Sequence, residues 1–341
     1  MYRKFVILSA LLTFVVIVLG AYVRLSDAGL GCPDWPGCYG QVTPAHAAEE
    51  IAVAQAARPH GPVSLHKAWK EMIHRYLAST LGLLIITIAV IAWRKRETLK
   101  QSPVLPLALI GVVIFQGMLG MWTVTLLLKP AIVTAHLLCG LTLLALLTVL
   151  TLRQFRSDVY LVAPSSTRWL AIAALLALAM QIALGGWVST NYAALACQDF
   201  PLCQGALIPK MDFGNAFHIV RELGMTAQGD LLSLDALRAI HWMHRIGAMI
   251  TTVIVGALAL RLMLNVHARR LGIFLLIALA LQVLIGIGNV YLQLPLVLAV
   301  AHNVGAALLV VVLVTVNFAL RRLASDTRQI EVQSTRAIAA V

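Results

Sequence analysis

The chain has 341 residues, 60% of them hydrophobic and only 12% charged, with a mean hydropathy of +0.89. Soluble domains carry about twice that charged fraction, which excludes a water-soluble globular fold. The formal net charge of +12 raises the question of a nucleic-acid partner, but its one-sided distribution argues against one and makes membrane lipid the surrounding partner.

Apolar runs of about 20 residues, enough to cross a hydrocarbon core about 30 Å thick, predict helical spans at 5–23, 72–93, 104–127, 131–152, 168–188, 240–262, 271–292 and 296–319. The first follows Arg3 and Lys4 as a signal segment would. Its run is long for one, and the text after it, Gly20 to Arg24, recurs behind a later span, so it reads as retained. A long loop at 24–70 carries Cys32 and Cys38, and a second at 189–239 carries Cys197 and Cys203. Cys139 stands alone in the fourth span, where it reads as a small apolar filler.

With eight spans and the N-terminus inside, sixteen of the 26 Lys and Arg and only four acids fall on the inner side, among them Arg156, Asp158 and the tail residues Asp326, Arg328, Glu331 and Arg336. The outer side is neutral, so the whole excess lies on one face, as the positive-inside rule expects. The expected placement is a bacterial cytoplasmic (inner) membrane with both termini cytoplasmic. The cysteine-bearing loops then face the oxidising periplasm.

The second half repeats the first. Leu19-Gly20-Ala21-Tyr22-Val23 matches Leu184-Gly185-Gly186-Trp187-Val188 at an offset of 165, and Cys32-Pro-Asp-Trp-Pro-Gly-Cys38 matches Cys197-Gln-Asp-Phe-Pro-Leu-Cys203 at the same offset. Ile73-His74-Arg75 matches Met243-His244-Arg245 at 170, while Gln116, Gly120 and Ala135-His136 match Gln282, Gly286 and Ala301-His302 at 166. Four spans per half is an even number, so the repeat is parallel, with a pseudo-two-fold axis along the membrane normal. The expected fold is an all-α integral membrane protein of eight transmembrane helices, built as two pseudo-symmetric four-helix bundles. The halves are drawn as 1–155 and 156–323, followed by a cytoplasmic tail at 324–341.

Ionisable groups inside a bilayer are costly and usually functional. His74, His136, His244 and His302 are such groups, and they obey the repeat. Each lies within roughly 10 Å of the outer surface at 1.5 Å per residue, on spans running the same way, so His74 can face His136 and His244 can face His302. Two facing imidazoles suit axial ligation of haem iron; zinc would want a third or fourth ligand. Small residues near each histidine (Ala78, Ser79 and Gly82; Gly140; Gly247 and Ala248; Gly305 and Ala306) leave room for a flat macrocycle. Arg75 and Arg245 are candidates to pair with its propionates. The competing reading makes the four histidines hydrogen-bonding links between helices. His46, His60, His66, His218 and His267 read as solvated loop residues.

The halves differ at one telling position. Glu71 lies three residues before His74, on the same helical face, and its counterpart is His241. A carboxylate beside a porphyrin can move protons, which marks the first half for chemistry and the second for a fixed cofactor. A plain helix-terminal carboxylate complementing the dipole is the alternative. Each cysteine pair spans six residues of turn-rich loop and can close a disulfide, as a structural staple or as a thiol relay.

These residues resemble the haem A synthase family of the proteobacterial and mitochondrial type. The resemblance rests on Gly20-Ala-Tyr-Val-Arg-Leu-Ser-Asp-Ala-Gly-Leu-Gly-Cys-Pro-Asp-Trp-Pro-Gly-Cys38, with Glu71-x-x-His74-Arg75, Gln116-x-x-x-Gly120, Ala135-His136, His244-Arg245 and Ala301-His302, and it covers essentially the whole chain. It implies oxidation of a porphyrin methyl group of haem O to a formyl group, through hydroxylated intermediates, to give haem A for cytochrome oxidase. It implies a haem b cofactor (iron protoporphyrin) on His244 and His302, the haem substrate on His74 and His136, and Glu71 as the catalytic acidic residue. The partners it implies are haem O synthase and cytochrome oxidase assembly factors; self-association into a homo-oligomer stays open. The loops 24–70 and 189–239 would cover the two pockets. One departure is His241, a second potential ligand three residues before His244. Two other classes fit the residues: a di-haem b-type cytochrome taking electrons from quinol, and a haem-handling transporter.

Overall fold

The computed structural model describes residues 1–155 and 164–338, with side chains as far as Leu320. The expected boundary between the halves at 155/156, with Arg156 and Asp158, falls at the edge of or within 156–163, outside the described residues. The side chains of the tail, Asp326, Arg328, Glu331 and Arg336 included, lie outside them too.

Eight helices are long and apolar enough to cross a membrane among the described residues. We number them α1 (Tyr2–Leu25), α2 (Leu65–Arg94), α3 (Val104–Thr125), α4 (Pro130–Arg153), α5 (Ser165–Thr190), α6 (Leu234–Met263), α7 (Arg269–Tyr291) and α8 (Leu296–Ile338). There is no sheet among these residues, only isolated bridges in the loops. Side chains such as Leu8, Leu11, Leu83, Ile86, Leu176, Val253 and Leu284 are exposed, as the lipid-facing flank of a spanning bundle requires.

Two helices begin earlier than hydropathy predicts: α2 at Leu65 instead of 72, and α6 at Leu234 instead of 240. Their first turns are amphipathic and rise beyond the apolar run, so a hydropathy window cannot see them. Serines start both. The Ser64 hydroxyl accepts from the Lys67 N–H at 3.3 Å and the Ser233 hydroxyl from the Ala236 N–H at 3.2 Å, satisfying donors that a helix start leaves orphaned. The extra turns place Glu71 and His241 inside helices, one turn before His74 and His244. α3 stops at Thr125, two residues short of expectation, because Leu127 and Leu128 turn left-handed (φ 49° and 60°) into α4. Gln293 and Leu294 make the same turn between α7 and α8 (φ 57° and 61°).

Within each half the helices pack as a closed ring in chain order: α1–α2–α3–α4–α1 and α5–α6–α7–α8–α5. The diagonal pairs α2/α4 and α6/α8, which carry the histidines, make no comparable approach. The rings meet along α1, α4, α5 and α8. There Gly186 brings α5 so close to α4 that an added Cβ would sit 3.1–3.2 Å from Leu137 and Thr134. At the loop face Arg24 of α1 donates to the Ser189 carbonyl at 2.7 Å and the Tyr192 hydroxyl at 3.0 Å, and its guanidinium lies over the Tyr192 ring. Burial pushes the Tyr192 phenol up.

The core is uneven along the membrane normal. In the first ring Leu81, Ile85, Ile88, Leu109, Leu143, Leu147 and Leu150 form a tight cluster with Val6. In the second, Leu178, Val255, Leu258, Leu262, Leu275, Leu309 and Leu313 do the same. On the histidine helices these residues come after His74, His136, His244 and His302, so each ring is plugged with aliphatic side chains away from the loop face. At the loop face itself smaller clusters dock each long loop onto its helix start: Cys32, Cys38, Ala47 and Ile51 on Ala68 and Met72, and Ala193 and Ala216 on Ala236, Ala239 and Ile240.

Close helix contact at glycine is a packing device that can be tested directly. An added Cβ at Gly272 of α7 would meet the Ala259 carbonyl of α6 at 2.7 Å, whereas one at Gly111 of α3 meets nothing within 4 Å. Gly272→Ala is expected to destabilise by about 1–3 kcal/mol through overpacking. Gly111→Ala is expected to be neutral or to gain up to about 1 kcal/mol of helix propensity. Thermal unfolding in detergent, followed by intrinsic fluorescence, checks both.

Candidate functional site

Each of the four intramembrane histidines rests against a glycine of the preceding helix in its ring. A Cβ added at Gly20 of α1 would come within 2.9 Å of His74 Cε1, at Gly120 of α3 within 3.2 Å of His136 Cε1, at Gly185 of α5 within 3.1 Å of His244 Cε1, and at Gly286 of α7 within 3.0 Å of His302 Cε1. Any larger residue would push the ring aside. The four contacts orient the imidazoles by the same steric means. Gly185 and Gly286 belong to the repeat, but their partnership with a histidine on another helix is visible only in three dimensions.

From the helix starts on the loop face, His136 and His302 lie six residues along α4 and α8, about 9 Å. His74 and His244 lie nine and ten residues along α2 and α6, about 13–15 Å. His136 lies within electrostatic reach of His74, and His244 of His302, across the ring diagonals. Nδ1 of His74, His136 and His302 is buried without a side-chain partner, the rings lying toward the backbone carbonyls of Val16, Gln116 and Gln282, although the residues keep partial exposure. With Cε1 against glycine and Nδ1 buried, the accessible part of those rings lies on the remaining edge.

Three of the histidines also meet a glutamine. The Gln116, Gln181 and Gln282 side-chain amides donate to the backbone carbonyls of His136, His244 and His302 at 3.0–3.1 Å. The same nitrogens lie 3.4 Å from His136 Nε2, 3.0 Å from His244 Nδ1 and 3.4 Å from His302 Nε2. Gly140, Gly247 and Gly305, expected to leave room for a macrocycle, receive these amides instead; a Cβ at any of them would collide with the glutamine. Gln181 was not among the residues expected from sequence, though its spacing signals it. Gln116, Gln181 and Gln282 each stand four residues before the glycine that backs a histidine.

Over each ring lies a cysteine loop of one design. Cys32–Cys38 and Cys197–Cys203 are disulfides with S–S distances of 2.05 and 1.96 Å. Each encloses a cis proline, Trp35–Pro36 and Phe200–Pro201. Asp34 accepts from the Tyr39 and Gly40 N–H groups at 2.6 and 2.7 Å, and Asp199 from those of Gln204 and Gly205 at 2.6 and 2.8 Å. The Gly205 N–H leads the contacts that hold the exposed Asp199 carboxyl below the usual carboxylate range.

These loops are tied to the histidine helices through positions 71 and 241. Glu71, 4% exposed, accepts the Cys32 N–H on Oε2 at 3.0 Å and pairs through Oε1 with Arg75 at 2.5 Å. His241, also 4% exposed, takes the Cys197 N–H on Nδ1 at 3.3 Å and meets Arg245 Nε through Nε2 at 3.3 Å. The arginines complete the tie. Arg75 donates to the carbonyls of Asp34 and Gly37 at 2.9 and 2.6 Å, and Arg245 to those of Leu202 and Cys197 at 2.7 and 2.9 Å. Both guanidiniums are thus engaged with the loops while keeping further N–H donors. His241, turned to Cys197 and Arg245, is occupied in the loop tie, while His244 faces His302.

Among the described residues no three His, Cys, Asp or Glu side chains gather as a metal ion would need. Paired imidazoles across a gap, walled by aliphatic side chains, fit an iron held mainly by a macrocycle. The solvated reading holds for His46, His60, His66, His218 and His267, which stand outside these rings.

Residues 3–314 match the family described as cytochrome oxidase assembly protein. Over 326 residues, 95% of this chain and 98% of the relative, the chain is 43% identical to a protein named Heme A synthase from Shewanella oneidensis. It is 28% identical to Heme A synthase of Mesorhizobium japonicum over 90% of this chain and 87% of that one. Against Heme A synthase of Halalkalibacterium halodurans the figures are 28% over 68% and 72%.

The tie at position 71 generates a prediction. Glu71→Ala leaves the Arg75 guanidinium and the Cys32 N–H without their acceptor, a loss on the order of 3–5 kcal/mol for a broken buried pair. Amide exchange at residues 31–41 is expected to accelerate sharply in Glu71→Ala. In Glu71→His, which copies the second half, it is expected to stay closer to the parent.

Proposed function

Because this chain belongs to the cytochrome oxidase assembly protein family, we propose that it is a haem A synthase, an oxidoreductase that converts a methyl group of haem O to the formyl group of haem A for cytochrome oxidase. The observation that carries this reading is the pair of diagonal histidine couples, each backed by glycine in one of two like rings, in a chain so similar throughout to proteins named Heme A synthase. One couple suffices to hold a cofactor; a second couple in a matching ring has room for a haem as substrate.

In this proposal His244 and His302 hold haem b, and His74 and His136 hold the substrate haem. The glycine backing and, among the described residues, the lack of a third metal ligand support the fit. Haem b, when bound, supplies one-electron transfer. The residues of the chain do the rest. The aliphatic plug below each couple stops the macrocycle from sinking toward the far side, so the reacting edge stays near the loop face. The disulfide loops close that face and shut bulk water out, which strengthens every electrostatic contact inside.

Glu71 is the acid–base residue of the proposal. It is the buried carboxylate nearest in sequence to a substrate ligand, on the same face of α2 as His74, and the other half has His241 in its place. Its bonds to Cys32 and Arg75 hold it in one orientation, as proton transfer at a fixed point requires. The positive charge on one face supports the placement in a bacterial inner membrane, with termini cytoplasmic and loops periplasmic. Haem O synthase, which supplies the substrate, and oxidase assembly factors, which receive the product, are the proposed partners.

Haem extraction and mass identification test the reading. Chain co-expressed with haem O synthase is expected to yield haem B together with haem A or hydroxylated haem O. Haem B at both sites would make it a di-haem cytochrome instead. His302→Ala should lose haem B selectively, with its low-spin spectrum. Glu71→Gln, which keeps an oxygen acceptor for the Cys32 N–H, is expected to bind both haems while formyl production falls about 10²–10⁴-fold; normal haem A output would remove Glu71 from the chemistry.

A further inference from the structure

Three of the four histidines are held by a glutamine, and the fourth is not. The glutamines stand four residues before the backing glycine: Gln116 before Gly120, Gln181 before Gly185, Gln282 before Gly286. Four residues before Gly20 the chain has Val16. Valine has no side-chain donor, and no side-chain amide reaches the His74 ring among the described contacts. Gly247, three residues after His244, receives the Gln181 amide; its counterpart three residues after His74 is Leu77. Both members of the lock, the amide and the glycine that admits it, are therefore replaced together on α1 and α2.

An amide that bonds a histidine's own backbone carbonyl while touching its ring ties ring orientation to the helix. Outer-shell contacts of this kind fix a ligating imidazole and raise its affinity for metal. His136, His244 and His302 have that restraint. His74 has the steric backing of Gly20 and the Val16 backbone carbonyl beside its ring, but no side-chain amide.

We propose that Gln116, Gln181 and Gln282 are positioning residues that lock three axial ligands, and that His74, unlocked by Val16 and Leu77, is the ligand that lets go so that the substrate haem can be exchanged for the next. This rests on the two-haem reading above and assigns the asymmetry of exchange to named side chains. A site that must turn over cannot hold its porphyrin from both sides as firmly as a site that keeps it. The second ring has both locks and retains its haem. The first has one, on His136, so a haem bound there would be held firmly by His136 and loosely by His74.

The test uses the full chain purified with its haems from cells that make haem O. Excess apomyoglobin serves as acceptor, and each transferred haem is identified by mass. In the parent protein haem O and haem A are expected to transfer faster than haem B. Gln181→Leu should accelerate haem B loss about 10–100-fold and shift its low-spin electron paramagnetic resonance signal, a change a purely structural role would not produce at constant fold. Val16→Gln combined with Leu77→Gly, which installs the lock, should slow transfer from the first ring by a similar factor and leave haem B loss unchanged. Equal transfer rates from both rings in the parent, or an installed lock that leaves exchange from the first ring as it was, overturns the inference while leaving the two-haem reading intact. A chain that holds haem at a single histidine couple overturns both.

Discussion

The contact on which this structure depends is the Cε1 corner of an imidazole set against a glycine of the neighbouring helix. It occurs four times, once for each odd-numbered helix of the two rings. Glycine there has a definite physical purpose: with hydrogen in place of a side chain, the backbones of α1 and α2, or of α7 and α8, can close on the ring and hold it edge-on. In a bilayer, where apolar side chains gain nothing by leaving lipid for protein, such close approach is a main source of helix association. The same four glycines therefore stabilise the rings and orient the groups that would otherwise be costly to bury.

The second constraint is the tie between each cysteine loop and its histidine helix. Positions 71 and 241 differ in chemistry but occupy the same place in the structure, each accepting the first cysteine's N–H and meeting the arginine four residues on. A carboxylate accepts both bonds at once, whereas a neutral imidazole accepts on one ring nitrogen and carries its proton on the other, so His241 makes the weaker tie. Only the carboxylate adds a negative charge beside the arginine.

Much of this was legible in the residues because it is local. Twenty-residue apolar runs, offsets of 165 to 170, and histidines toward the loop end of their spans all survive as text. Where the reading fell short, the missing piece was a partner on another helix. The early starts of α2 and α6 escaped because an amphipathic turn above the membrane carries no hydropathy signal. The arginines next to His74 and His244 were legible as charged neighbours of a ligand, but not their bonds to the loop carbonyls. Gln181 escaped because its match in the first half is a valine, and a repeat search registers coincidences rather than differences.

The sequence by itself determined the eight spans, the parallel duplication, the four histidines and the two cysteine pairs, because hydropathy, spacing and residue identity are properties of the chain alone. Only the tertiary structure decided that the histidine helices sit on ring diagonals, that each imidazole meets a particular glycine, that Glu71 and Arg75 grip the first cysteine loop, and that one histidine lacks the amide the other three have. Those facts depend on how each helix is rotated about its axis. That rotation is set by the combined packing of all its neighbours, which no single segment encodes.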